Sequence, residues 1–82
     1  MIGVIWRTPR TDDSKGLFEK FKTTPGIVAS YQLRDDKEVV VVTIWESAAK
    51  REAYMKSTLQ SEIADANPGS ARLVYEVIGS TS

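Results

Sequence analysis

The run Val39-Val40-Val41-Val42-Thr43-Ile44-Trp45 constrains the fold of this chain more than any other feature. β-branched residues at successive positions favour a strand, because their stiff side chains pack well on a pleated surface. A strand half open to water alternates apolar and polar residues. This one does not alternate, so both of its faces need a cover. Helices of the same chain can supply one cover, and in 82 residues little is left to supply the other.

The length sharpens that point. A domain of this size buries only about 60% of the surface its unfolded chain exposes, and small domains usually make up the shortfall with disulfides, a metal or a partner subunit. The chain has no Cys and no His. Disulfides, a thiolate or imidazole zinc site and a haem held by an axial histidine therefore have no ligands here. A partner subunit is the remaining remedy, and the sequence predicts a homodimer with no cofactor and no metal.

The other elements fall into place around this strand. Ile2 to Trp6 is a β-rich run closed by Arg7-Thr8-Pro9, because proline cannot donate to a ladder. Thr11, Asp12 and Asp13 are cap residues for a helix in which Leu17, Phe18 and Phe21 share one face, with Gly16 weakening its early turn. Pro25-Gly26 ends that helix. Ile27 to Arg34 and Glu38 to Trp45 are strands joined by Asp35-Asp36-Lys37, a solvated turn of hairpin length. Ser47 caps a helix through Ala48, Ala49, Ala53 and Tyr54, with Lys50, Arg51, Glu52 and Lys56 mostly outward. Ser57-Thr58 breaks it. A short helical piece carrying Leu59 and Ile63 follows, and Asn67-Pro68-Gly69 stops it. Arg72 to Ile78 is the last strand. The expected fold is α+β: a ferredoxin-like βαββαβ domain over residues 1–78, with a four-stranded antiparallel sheet and helices on one face. Residues 79–82 read as a flexible tail. Two open sheet faces laid together would then close a barrel-like core across a two-fold axis.

Charge excludes several functions. Lys plus Arg equals Asp plus Glu at 11 each, with no basic stripe to neutralise phosphates, so nucleic acid is not an expected partner. The longest apolar run is far shorter than the roughly 20 residues that span a bilayer, and no signal segment is evident. No membrane and a cytoplasmic location are expected. No nucleophile-base constellation, phosphate loop or metal-ligand spacing is present.

Pro25-Gly26 entering a strand, the acidic turn Asp35-Asp36, the sequence Ile44-Trp45-Glu46-Ser47 and a helix from Ala48 to Ser57 resemble the antibiotic biosynthesis monooxygenase family. The resemblance covers about the middle half of the chain. It implies a dimeric α+β barrel with a pocket between sheet and helices in each subunit. Characterised enzymes of the family include cofactor-independent oxygenases of phenols and quinols and haem-degrading enzymes, and related barrels serve as cyclases or sensors. Trp45 matches the family tryptophan. Tyr54 falls where many members carry a histidine on the second helix, so a haem ligand and the most obvious base are both missing.

Five residues are therefore candidates for a site: Trp6, Phe21, Trp45, Tyr54 and Arg72. Trp45, Tyr54 and Arg72 are the catalytic candidates, and Trp6, Phe21, Trp45 and Tyr54 the substrate-binding ones. An indole can stack on an aromatic ligand while its NH donates, a phenol is a weak acid or donor, and a guanidinium can orient a phenolate or carboxylate. Plain packing accounts for the aromatics equally well, and an exposed strand end accounts for Arg72. Phe18 and Phe21 read as core with an edge toward the same pocket, and Tyr31 and Tyr75 as cross-strand packers. A small aromatic ligand is the expected partner beside the second subunit. The leading expectation is a cofactor-independent monooxygenase of a quinol, phenol or polyketide-like compound. The alternatives are a non-catalytic small-molecule-binding or protein-interaction dimer, and a polyketide cyclase-like protein.

Overall fold

The computed structural model describes residues 1–10 and 16–81. Its elements run β1 (Ile2–Pro9), α1 (Leu17–Lys22), β2 (Ile27–Arg34), β3 (Glu38–Trp45), α2 (Ala48–Met55), α3 (Thr58–Ala66) and β4 (Ala71–Glu76). The strands form one sheet in the order β2-β3-β1-β4, with every neighbouring pair antiparallel. This is the ferredoxin-like α+β arrangement expected. The sheet is open at both edges.

Strand parity decides what each residue meets. In β3 the burial alternates strictly: Val39, Val41, Thr43 and Trp45 are buried, and the residues between them are half-buried. The register sets Val4 opposite Thr43, Trp6 opposite Val41 and Thr8 opposite Val39, so the even positions of β1 share the face that the helices cover. Across the other ladder Arg72 pairs with Trp6 and Val74 with Val4, which brings the even positions of β4 to the same face. The core under the helices is Val4, Phe21, Val39, Val41, Trp45 and Tyr54. On the opposite face lie Ile5, Val40, Val42 and Ile44 with Tyr31, Leu33, Leu73 and Tyr75, the last four at 46% exposure or more.

Three boundaries differ from the sequence reading. β1 continues through Arg7 and Thr8 to Pro9. Arg10 N–H donates to Lys37 O across β3, so the nitrogen of Pro9, one residue earlier, points the other way, where pairing with β4 has already stopped at Arg7. Its missing donor costs nothing there. β4 ends at Glu76, short of Ile78, because it pairs from Ile2 of β1 onward and only Met1 O remains to accept from Val77 N. α1 begins at Leu17, and Gly16 sits at its N-cap with φ of 63°, outside the helix interior. The caps expected at Thr11, Asp12 and Asp13 lie outside the described residues.

Local chemistry fixes the remaining ends. Asp35 Oδ1 accepts from Lys37 N at 2.8 Å and Glu38 N at 2.9 Å, which closes the hairpin turn. Both backbone donors hold the Asp35 carboxyl below its ordinary range. Ser47 Oγ accepts from Lys50 N, and Ser57 Oγ accepts from Gln60 N, each at 3.2 Å, capping α2 and α3. Gly26 has φ of 95°, and a Cβ there would overlap the Lys50 side chain. Its carbonyl accepts from Glu46 N at 2.8 Å, so this glycine seats the start of α2 against the head of β2.

Candidate functional site

Between the covered face of the sheet and the three helices lies a cavity of about 340 Å³. Parity and helix spacing explain its walls. Val4, Trp6 and Thr8 line it from β1, and Val39, Val41, Thr43 and Trp45 from β3. Leu17, Phe18 and Phe21 lie on one side of α1, as the i, i+1, i+4 spacing requires. Tyr54 and Arg51 lie three residues apart on α2 and face the same space. Arg72 from β4 and Gln32 from β2 flank the cavity at its two sheet edges.

All five candidates thus converge on one cavity. Three of their rings form a cluster: Tyr54 lies 5.2 Å from Phe21 at 72° and 5.4 Å from Trp45 at 34°, while Phe21 meets Trp45 at 6.1 Å and 80°. Such edge-on and tilted contacts are each worth about 0.5–1.5 kcal/mol beyond burial. Trp45 is only 2% exposed, so it serves as core plug and cavity wall together. Phe18 stacks on Phe21 at 6.3 Å and also lines the cavity. Tyr31 and Tyr75 point to the opposite face and have no part in the cavity.

The electrostatics divide the cavity. Burial pushes the Tyr54 phenol up to about 12, against a smaller opposing pull from Arg72. At neutral pH Tyr54 is therefore a proton holder and hydrogen-bond donor, and it is a poor base. Burial lowers the Arg72 guanidinium from its ordinary value; Tyr54 opposes this, and Arg51 adds to it. Arg72 is half-buried, which replaces the expectation of an exposed strand-end charge.

Arg51 corrects the sequence reading of a solvated helix face. Its position three residues before Tyr54 was the available signal, since i and i+3 share one side of a helix. Thr8, Gln32 and Asn67 also line the cavity without having been singled out. Strand parity with Trp6 marks Thr8, and pairing with Val41 marks Gln32. Thr43 Oγ1 meets Ser30 Oγ at 3.0 Å, whereas the buried Oγ1 of Thr8 has no hydrogen-bond partner. Among the described residues no cluster of His, Cys, Asp and Glu could hold a metal, and no helix is long and apolar enough to cross a membrane.

The same fold recurs in solved structures. An antibiotic biosynthesis monooxygenase superposes with a TM-score of 0.72 over 96% of this chain and 100% of its own, at 15% identity. The fold of this chain is that of the antibiotic biosynthesis monooxygenases. A variant of SnoaB, a cofactor-independent oxygenase from Streptomyces nogalater, shares the monooxygenase fold with a TM-score of 0.72 and 14% identity, covering 96% of this chain and 94% of that one. Rv0793 from Mycobacterium tuberculosis matches with a TM-score of 0.74 and 14% identity over 99% and 98% of the two chains. No family model and no curated protein matches the sequence.

Proposed function

We propose that the chain is a cofactor-independent monooxygenase of a small phenol or quinol, bound in the cavity between sheet and helices. The observation that carries this reading is the convergence of Trp6, Phe21, Trp45, Tyr54 and Arg72 on one cavity of about 340 Å³, a volume suited to a small aromatic. The likeness in fold to a cofactor-independent oxygenase supports it. In such a reaction the ionised ring itself reduces dioxygen. A carbon–oxygen bond forms at the open ring position para to the hydroxyl, the peroxide bond then breaks, and one phenol plus one dioxygen give one quinone plus one water. The aromatic walls keep water away from the ring, and the Tyr54 hydroxyl and the Arg72 guanidinium donate to the developing oxyanion. With Tyr54 held protonated, the substrate itself must ionise readily.

A second copy of the chain belongs to this reading, laid against the open sheet face. That face presents apolar side chains from all four strands, and its described ion pair, Arg7 Nε with Glu38 Oε1 at 2.8 Å, sits at one end. Covering it would bury both sides of the valine run. The oxygenase reading is tested with an oxygen electrode and isotopically labelled dioxygen against a panel of naphthols and quinols. Uptake with label in the product is expected, and it is expected to fall sharply when Trp45→Phe and Tyr54→Phe are combined. Unchanged turnover in that double variant would remove the assignment. The raised Tyr54 phenol and the absence of histidine favour one second reading, a non-catalytic aromatic-binding dimer. It predicts saturable binding with no oxygen uptake above the uncatalysed rate.

A further inference from the structure

Two guanidinium groups approach the cavity, Arg51 from α2 and Arg72 from β4, and Arg72 lies close enough to Arg51 and Tyr54 to feel both. The ion pairs of the described residues are Arg7 with Glu38 and Lys22 with Glu19, so no carboxylate among them neutralises either cavity arginine. Two like charges drawn partly out of water repel one another and lose hydration, and an anion set between them reverses both costs. The face of the sheet that carries Arg72 also holds an unpartnered hydroxyl. Trp6 pairs with Arg72 across the β1–β4 ladder, and Thr8 follows Trp6 on the same face, 3% exposed and with its Oγ1 unpartnered. The cavity thus holds two guanidinium groups alongside the ring cluster of Phe21, Trp45 and Tyr54.

We propose that Arg51 and Arg72 form an anion subsite, and that the ligand is a hydroxylated aromatic acid whose carboxylate lies on the arginines and whose ring lies against Trp45 and Tyr54. This rests on the reading of the cavity as an aromatic-binding site. A carboxylate is the anion of choice because it is fully ionised at neutral pH and matches the guanidinium fork with two parallel bonds, whereas an ordinary phenol, with a pKa near about 10, arrives neutral.

Isothermal titration calorimetry at neutral pH with 2-naphthoate and 2-naphthol, two probes that share a ring system and differ in charge, tests the subsite. The naphthoate is expected to bind at least about tenfold more tightly, as charge-assisted bonds require. Arg51→Gln is expected to cost naphthoate about tenfold and leave naphthol within about twofold, whereas Arg72→Gln weakens both probes and Arg72→Lys retains part of the preference. Raised salt should weaken naphthoate alone. Arg51 lies outside the core cluster and Arg72→Lys keeps the charge, so these two variants serve if Arg72→Gln fails to fold. Equal affinity for the two probes, or a naphthoate affinity indifferent to Arg51→Gln and Arg72→Lys, overturns the subsite while leaving an aromatic cavity intact. No binding of either probe overturns both. Oxygen uptake with 1-hydroxy-2-naphthoate reads the oxygenase assignment separately: an arginine-dependent preference without uptake sinks the oxygenase and leaves the subsite standing.

Discussion

Along β3, Val39, Val41 and Trp45 lie under the helices at 6%, 6% and 2% exposure, while Val40, Val42 and Ile44, each the neighbour of one of them, remain half-open on the other side. The two faces have nearly the same apolar chemistry and different covers. The covered face uses its residues to build a core around a cavity, with Thr8, Gln32 and Arg72 set among the apolar side chains. The open face sets Ile5, Val42 and Tyr31 side by side across three strands and ends at the Arg7–Glu38 pair. A valine run therefore meets two environments, a core within the chain and a face the chain leaves open.

The largest effect expected from breaking this comparison is at Trp45. Trp45→Ala removes the largest fully buried side chain and should cost about 3–5 kcal/mol in urea unfolding, a large share of the roughly 5–15 kcal/mol that holds a domain together. Tyr31→Ala, at 61% exposure on the opposite face, should cost within about 0.5 kcal/mol when measured on dilute monomer. Comparable losses at both sites in dilute monomer would mean that the faces do not differ within one chain.

Next in size is association. Val42 lies at the centre of the open face, opposite Ile5 on one side and Tyr31 on the other. Val42→Lys places a charge where a second copy would bury it, and should weaken self-association by about a hundredfold or more. Sedimentation equilibrium at micromolar concentration should give twice the 9.1 kDa chain mass for the wild type and the single mass for the variant. A wild type that sediments as a monomer under these conditions would remove the second copy from the proposal.

The fold was legible because its signals are local. The hairpin strands Ile27–Arg34 and Glu38–Trp45 carry their bounds in the turn residues Asp35-Asp36-Lys37, and the Ser57 break is a cap that one hydroxyl supplies. The ends of β1 and β4 were less so, because they depend on where a neighbouring strand stops, which no residue of the strand itself records. The same division holds for the site. Parity and the matched tryptophan drew out Trp6 and Trp45, yet Arg51 was read as part of a charged helix face. Its neighbours Lys50 and Glu52 are charged too, and only its spacing from the buried Tyr54 sets it apart. Thr8 was hidden for another reason: a threonine beside a proline marks a strand end equally well, and its burial depends on how far β1 continues.

A smaller effect concerns Tyr54. Its folded-state pKa of about 12 lies above the ordinary value of 10.0, so between those values the folded chain holds a proton that the unfolded chain has released. The stability that this provides is complete below about pH 10 and is lost as pH rises toward 12. Unfolding free energies of wild type and Tyr54→Phe, compared at intervals across that window, should diverge from their neutral-pH difference, with the wild type losing more. Parallel curves would show that burial does not raise the phenol above its ordinary value.

The smallest effects separate two threonines on the covered face. Thr8 and Thr43 are equally buried at 3% exposure, but Thr43 Oγ1 shares a hydrogen bond of 3.0 Å with Ser30 and Thr8 Oγ1 has no partner. Thr43→Val should cost about 1 kcal/mol, since it strands the Ser30 hydroxyl as well as losing the bond. Thr8→Val removes a hydroxyl that is already desolvated and unpaid, so it should leave stability unchanged or raise it by up to about 1 kcal/mol. The pair of urea curves reads the sign directly. If Thr8→Val is as damaging as Thr43→Val, then Thr8 is satisfied in the folded chain and has nothing to offer a ligand. If it is neutral or stabilising, the hydroxyl is a cost the fold does not need, buried without a partner on the face of the sheet that carries Arg72.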